Sequence, residues 1–319
     1  MSSPALRSPS SALPEGRASF RRGLWRLADP KISLASMAGM FLGAAAAARG
    51  GALSPGWLAL TVAGIFAIEV AKNASGEIFD FDSGTDRAVT PEERTPFSGG
   101  KRVLVDGLLS RGQTKAIAWT GYLLGAAAGI AIALLREPAV LVFGAAGLAL
   151  AFFYHAPPLR LSYRGWGEAA VAAVYGPLIV LGTEVVQRGR VSAFAFLASI
   201  PLGLMIGAFL WVNELPDRRA DASAGKRTMV VRLGARRASA VYSGIVAAAF
   251  LFQAAWPFSA GASGAVLGIL GLPPAVAAAM MLGRGRAPAA TARLGSAQAL
   301  TLVSFLILAV AGGIGLLLA

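Results

Sequence analysis

Nine apolar stretches constrain this chain more than anything else in it, each near the length of about 20 residues that a helix needs to cross a bilayer. They run roughly 32–49, 56–79, 114–135, 138–154, 167–186, 193–215, 238–256, 263–282 and 296–318. The fourth is short, and Gly and Pro are frequent throughout, which membrane helices tolerate. With 56% hydrophobic and 14% charged residues among 319, the chain carries too little charge for a soluble fold of its size. The expected architecture is all-α: a polytopic membrane protein of about nine transmembrane helices.

The basic residues then assign the sides. Arg7, Arg17, Arg21, Arg22, Arg26 and Lys31 precede the first apolar run, and Arg87, Arg94, Lys101, Arg102, Arg111 and Lys115 follow the second. Further basic groups follow the fourth, sixth and eighth runs, whereas the opposite side has only Arg49, Arg136, Arg188 and Arg190. This bias predicts a cytoplasmic N-terminus in a multi-pass protein of the cell inner or plasma membrane. It also explains the net charge of +13 without nucleic acid. Residues 1–30, rich in Ser, Pro and Arg, lack the apolar core of a cleavable signal and are expected to form a disordered basic cytoplasmic tail. Residues 31–319 form one transmembrane domain, with its longest cytoplasmic loops at about 83–112 and 217–237. The chain has no Cys and a single His, His155, so thiolate chemistry and a multi-histidine metal site are excluded.

Two acidic motifs stand at the cytoplasmic ends of apolar helices. The first runs N-A-S-G-E-I-F-D-F-D-S-G-T-D from Asn73 to Asp86, and the second N-E-L-P-D-R-R-A-D from Asn213 to Asp221. On helical spacing Asn73, Glu77 and Asp80 share one face, as do Asn213, Asp217 and Asp221. Carboxylates beside long apolar runs are costly unless something pairs with them. Two oxygen-rich clusters close to basic residues suit Mg²⁺ ions bridging to a diphosphate. The two regions also resemble each other coarsely, which fits either an old duplication or convergent metal chemistry. Asp82, within the first motif, and Asp106 read as caps or surface charges, His155 as an interfacial loop residue and Trp166 as an interfacial anchor. Glu168 lies near enough to the cytoplasmic end to touch an acceptor. Lys72 fits either a snorkelling side chain or a counter-charge to the adjacent acids.

Five ordered blocks carry a family resemblance: F-D-F-D-S-G-T-D (79–86), T-P-F-S-G-G-K-R-V-L (95–104), Y-H-A-P-P-L-R-L-S-Y-R-G-W-G-E (154–168), Y-G-P-L-I-V-L-G-T (175–183) and N-E-L-P-D-R-R-A-D-A-S-A-G-K-R-T (213–228). On these the chain resembles the UbiA superfamily of intramembrane prenyltransferases, most of all the menaquinone-pathway branch that prenylates 1,4-dihydroxy-2-naphthoate. The resemblance implies a UbiA-type bundle and catalytic roles for Asp80, Asp86, Asp217 and Asp221. It implies Mg²⁺ held among Asn73, Glu77, Asp80, Asp86, Asn213, Asp217 and Asp221. The family's Asn falls at Gly76 here, a departure that Asn73, one turn earlier, is placed to offset. The family Arg of the second motif is Pro216. Substrate contacts are accordingly expected from Asn73, Lys101, Arg102, Tyr154, Arg160, Lys226 and Arg227.

The implied partners are a polyprenyl diphosphate, an aromatic acceptor and the lipid bilayer. Ionisation of the allylic C–O bond would leave a carbocation, with Phe79, Phe81, Phe152, Phe153, Tyr154 and Trp211 placed to stabilise it. A 4-hydroxybenzoate acceptor is the nearest competitor within the family. Outside it, a transporter would carry acids along a path at mid-membrane depth, and a CDP-alcohol phosphotransferase would need a D-x-x-D-G-x-x-A-R element that the chain lacks.

Overall fold

The computed structural model describes residues 16–283 and 291–318. The helices are α1 (Arg17–Ala28), α2 (Pro30–Ala48), α3 (Pro55–Asp82), α4 (Thr85–Ala88), α5 (Arg111–Leu135), α6 (Val140–Phe153) and α7 (Leu161–Arg164). They continue with α8 (Gly167–Ala173), α9 (Ile179–Arg188), α10 (Ala193–Ser223), α11 (Met229–Ser259), α12 (Leu272–Gly283) and α13 (Thr291–Leu318). A wide π turn at Val174–Leu178 joins α8 to α9, and a tight 3-10 segment at Ser263–Gly271 runs into α12. Among the described residues the only β pairing is an isolated bridge between Thr95 and Ser98.

Eight of these helical units are long and apolar enough to cross a membrane. The ninth expected span is α6, whose 14 residues rise only about 21 Å, short of a hydrocarbon core of about 30 Å. Leu123, Leu134, Val142 and Leu251 are between 67% and 78% exposed, as lipid-facing side chains are. The main core joins α2, α10, α11 and α13 around Leu42, Leu202, Met205, Tyr242, Phe305 and Leu308. Between membrane helices, close approach rests on small residues. A Cβ on Gly176 would lie 2.6 Å from Gly203 Cα, so the π turn packs backbone to backbone on α10. Pro177 sits inside that turn, where it leaves a carbonyl of the preceding turn without its donor.

Two expectations change. The basic segment expected to be disordered is helical from Arg17, because one of its faces is apolar and packed. Leu27 is fully buried and Ser19 Oγ donates to the Leu108 carbonyl at 2.8 Å, while Arg21, Arg22 and Arg26 stay exposed. Residues 1–15 lie outside the described residues. The second cytoplasmic loop is also far shorter than expected. The second acidic motif continues α10 to Ser223 with Pro216 inside the helix, so only 224–228 separates it from α11. Charge at 217–221 marks where the helix leaves the bilayer, and the helix itself runs on.

Candidate active site

The C-terminal half of α3, the short helix α4 and the last turns of α10 converge on one polar cavity of about 760 Å³. Asn73, Glu77 and Asp80 line it from α3, Asp86 from α4, and Asn213, Asp217 and Asp221 from α10. The six metal candidates read from helical spacing, and Asp86 from the family resemblance, therefore line a common space. The segment 95–104 spans the gap between the two clusters. Gly99 N–H donates to Asp217 Oδ2 at 3.2 Å, and Leu104 N–H donates to Glu77 Oε1 at 2.9 Å. Gly100 makes this path possible. Its φ is +76°, and a Cβ there would stand 2.2 Å from Asp86 Oδ1.

One cation links the clusters. Lys226 Nζ lies 2.8 Å from Asp80 Oδ1 and 3.6 Å from Asp221 Oδ1, and Tyr163 O–H also donates to Asp80 Oδ1 at 2.8 Å. Burial works against the Lys226 charge, but Asp80 and Asp221 outweigh it and hold the ammonium well above its ordinary pKa. The Asp86 carboxyl is pushed up to about 9, first by burial and then by the charges of Asp80 and Glu77. Lys101, paired with Asp29, is drawn down to about 8 by burial.

The donor set fits Mg²⁺. Asp86 Oδ2, Asn213 Oδ1 and Asp217 Oδ1 are buried and have no hydrogen-bond partner, which is costly for oxygen unless a cation or donor meets it. Among the described residues no three acids stand close enough to enclose an ion unaided. Mg²⁺ does not require that, since it keeps waters and is held by one or two carboxylates together with phosphate oxygens.

Some expected contacts fall elsewhere. Arg227 is exposed, with its backbone N–H on the Tyr163 carbonyl at 2.9 Å, and Arg160 is stacked 4.0 Å from the Tyr163 ring centre. Neither lines the cavity: Arg160, in the loop after α6, is part-buried against Tyr163, and Arg227, in the connection after α10, is exposed. Lys101, Arg102, Tyr154 and Lys226 do line it. Arg102 is also committed to the loop, donating to the Asp86 carbonyl and pairing with Asp106 at 3.4 Å. Asn73 lines the cavity while its amide donates to the Leu27 carbonyl at 2.8 Å, so it also anchors α1. Of the six aromatic residues expected near the cation, only Tyr154 reaches a cavity wall. Trp211 is held on the Ala238 carbonyl at 2.9 Å, and Phe152 and Phe153 pack on each other.

His155 is another revision, since it is only 9% exposed and lines the cavity. A Cβ on Gly76 would stand 2.5 Å from its Cε1, so the imidazole fills the space that a side chain at residue 76 would take. Burial pushes the ring down to about 3, leaving it neutral. Sequence reasoning also passed over Glu214, which lines the cavity from within the N-E-L-P-D motif, and Arg94 and Lys31 at its rim. Motif membership was a signal for Glu214; the two cations carried none beyond their charge.

A second cavity, of about 160 Å³, is apolar and lies between α3, α5, α6 and the kinked helix α8–α9. Its walls include Ile65, Ile68, Leu150, Val174 and Leu178, with Gly64, Gly125 and Gly147 leaving width. Lys72 and Tyr154 line both cavities, so they mark the junction between them.

Acid-rich helix ends surround a polar chamber that also holds buried cations, and a greasy chamber adjoins it inside an apolar helical bundle. The chain belongs to the UbiA prenyltransferase family, whose profile matches residues 36–296. It is a prenyltransferase. A 1,4-dihydroxy-2-naphthoate octaprenyltransferase of Mycobacterium tuberculosis is 33% identical over 233 residues, covering 72% of this chain and 74% of the relative. The Bacillus subtilis protein of the same name is 24% identical, covering 72% and 71%. Among solved structures, an apo UbiA homologue from Aeropyrum pernix matches 94% of this chain and 98% of its own, with a TM-score of 0.64 at 20% identity. A UbiA homologue from Archaeoglobus fulgidus bound to DMAPP and Mg²⁺ matches 90% and 99%, with a TM-score of 0.64 at 14% identity.

Proposed function

We infer that this protein transfers a polyprenyl group from polyprenyl diphosphate to a hydroxylated aromatic acceptor, with 1,4-dihydroxy-2-naphthoate as the acceptor, in menaquinone biosynthesis. The observation that carries the reading is the sharing of Lys72 and Tyr154 by an acid-lined and an apolar cavity. A diphosphate head fits the first, a prenyl tail the second, and the bond to be broken falls between. The name of the 33% identical relative supports the naphthoate acceptor.

The chemistry then follows from the residues at each position. Asp80, Asp86, Asp217 and Asp221, with Asn73, Glu77 and Asn213, are the groups that would hold Mg²⁺. Bound there, Mg²⁺ supplies positive charge against the diphosphate as the leaving group departs. Lys226, Lys101 and Arg94 meet the remaining phosphate charge with charge-assisted hydrogen bonds. The allylic C–O bond breaks with its electron pair on the diphosphate. Tyr154, at the junction, turns an aromatic wall toward the carbocation. A π pair of the acceptor ring forms the new C–C bond, and the attacked carbon loses a proton, or CO₂ where it carries a carboxylate. No nucleophilic side chain is needed. The basic bias places the acidic motifs and the N-terminus on the cytoplasmic side of the cell membrane.

The test is turnover by purified protein with Mg²⁺ and a polyprenyl diphosphate, offered 1,4-dihydroxy-2-naphthoate and 4-hydroxybenzoate in parallel. Prenylated naphthol is the expected product by mass spectrometry. Product from 4-hydroxybenzoate alone would overturn the acceptor, and none from either would overturn the reading.

A further inference from the structure

The apolar cavity contains two charged side chains among its lining residues, Glu69 and Lys72, and the chemistry above uses neither as a metal or diphosphate ligand. They lie three residues apart on α3, and so on one helix face. Glu69 is 7% exposed, and one of its oxygens, Oε1, accepts from Tyr175 O–H at 3.0 Å across to the π turn. Its other oxygen, Oε2, is buried without a partner. Lys72 makes no ion pair among the described residues, and its ammonium stands 5.7 Å from the centre of the Tyr154 ring.

Ionisable groups at membrane depth are expensive, face the bundle interior, and mark the path of a polar ligand. A tie between α3 and the π turn would need only the one oxygen that Tyr175 uses. The free oxygen asks for a donor such as a hydroxyl, and the ammonium asks for an anion. A prenyl tail supplies neither. The residues next to the breaking bond therefore present an acceptor of hydrogen bonds and a cation, both inside an otherwise greasy wall. A flat ring carrying a hydroxyl and a carboxylate matches both.

We propose that Glu69, Tyr175 and Lys72 form the binding site for the aromatic acceptor, Glu69 taking the hydrogen bond of a ring hydroxyl and Lys72 pairing with the ring's carboxylate. This rests on the prenyl-transfer reading and deepens it. Tyr175 fixes the Glu69 carboxylate so that its second oxygen faces the ring. The hydrogen bond to Glu69 raises electron density in the ring that attacks. Glu69 and Lys72 are thus specificity-determining residues for the acceptor and not for the diphosphate.

The experiment measures steady-state KM for acceptor and for polyprenyl diphosphate separately, in wild type and in Glu69→Gln, Tyr175→Phe and Lys72→Met. The expected result is an acceptor KM raised at least tenfold in Glu69→Gln and Lys72→Met, with the diphosphate KM within twofold of wild type. Lys72→Met is further expected to lose the preference for 1,4-dihydroxy-2-naphthoate over 1,4-dihydroxynaphthalene as a competing ligand, and Lys72→Arg to restore it in part. A purely structural role would not move that preference. Should Glu69→Gln fail to fold, Tyr175→Phe carries the test, with a rise in acceptor KM expected. An unchanged acceptor KM, or equal losses for both substrates, overturns the proposal while wild-type turnover keeps the prenyl-transfer reading intact. Absence of any product from wild type sinks both.

Discussion

Lys226 Nζ stands 2.8 Å from Asp80 Oδ1, and through that contact the loop after α10 reaches the acidic end of α3. Asp221 lies 3.6 Å from the same ammonium on its other side. Lys226→Met strands two buried carboxylates, and losing one partner of a buried pair costs about 3–5 kcal/mol. A lower unfolding temperature by intrinsic tryptophan fluorescence is expected, together with weaker polyprenyl diphosphate binding. Lys226→Arg should recover much of the stability. Equal stability of Lys226→Met and wild type would show that the contact does not hold the clusters together.

Gly84 and Gly100 separate backbone strain from site geometry. Both have positive φ, +80° and +76°, but a Cβ on Gly84 meets nothing within 4 Å while one on Gly100 meets Asp86. Each Ala substitution carries the left-handed cost of about 1–2 kcal/mol. Only Gly100→Ala is expected to lose most activity as well, since it displaces a site carboxylate. Comparable kcat values for the two variants would remove Asp86 from the machinery.

His155 is the chain's only histidine, and its burial gives a signed pH dependence. A ring held down near 3 when folded and near 6.5 when unfolded contributes stability that is full above pH 6.5 and lost as the pH falls toward 3. The slope is about 1.4 kcal/mol per pH unit for one group. Asp86 has the opposite sign, because a carboxyl raised to about 9 favours folding most at low pH and loses that as pH rises. The informative quantity is therefore the difference between wild type and His155→Gln, which shares the Asp86 contribution. That difference should change steeply between pH 6.5 and 5 and be flat from 7 to 8.

Arg219 holds the loop before the site by two bonds to Glu93, at 2.6 and 2.7 Å, and one to the Ala88 carbonyl at 2.6 Å. The pair holds the Glu93 carboxyl down to about 2, but the Arg219 side chain is 54% exposed. Exposed pairs contribute at most about 1 kcal/mol. Arg219→Ala should therefore lower the unfolding temperature only slightly, and a fall in kcat of less than about threefold is expected. A large loss would make the loop's position critical to turnover.

Much of this was legible in the sequence because bilayers and metals impose simple rules. Apolar length gave the spans, and i, i+4 spacing put Asn213, Asp217 and Asp221 on one wall. Helix ends were harder. Charged residues after Asn213 look like loop, yet a helix leaving the bilayer needs charge in its last turns and can continue past Pro216. The fold of α1 was hidden because its partner, residues 103–109, lies far along the chain and packs Leu109 against Gly23. Arg160 and Arg227 were assigned to the site by charge and by their place in the family motifs, and neither fixes where a side chain points. The same limit concealed Glu69. A lone acid within an apolar run reveals its partner only once the π turn brings Tyr175 across.

The central claim is that acids from two separate helices act on one diphosphate, and single-turnover prenyl transfer by wild type, Asp80→Asn and Asp217→Asn tests it most directly. Each lost carboxylate removes several kcal/mol of charge stabilisation, about 100-fold or more in rate. Both variants are expected to lose Mg²⁺-dependent product formation to that extent, and Asp80→Asn also to unfold at a lower temperature because Lys226 loses its nearer partner. Wild-type rates in either one would contradict a shared site.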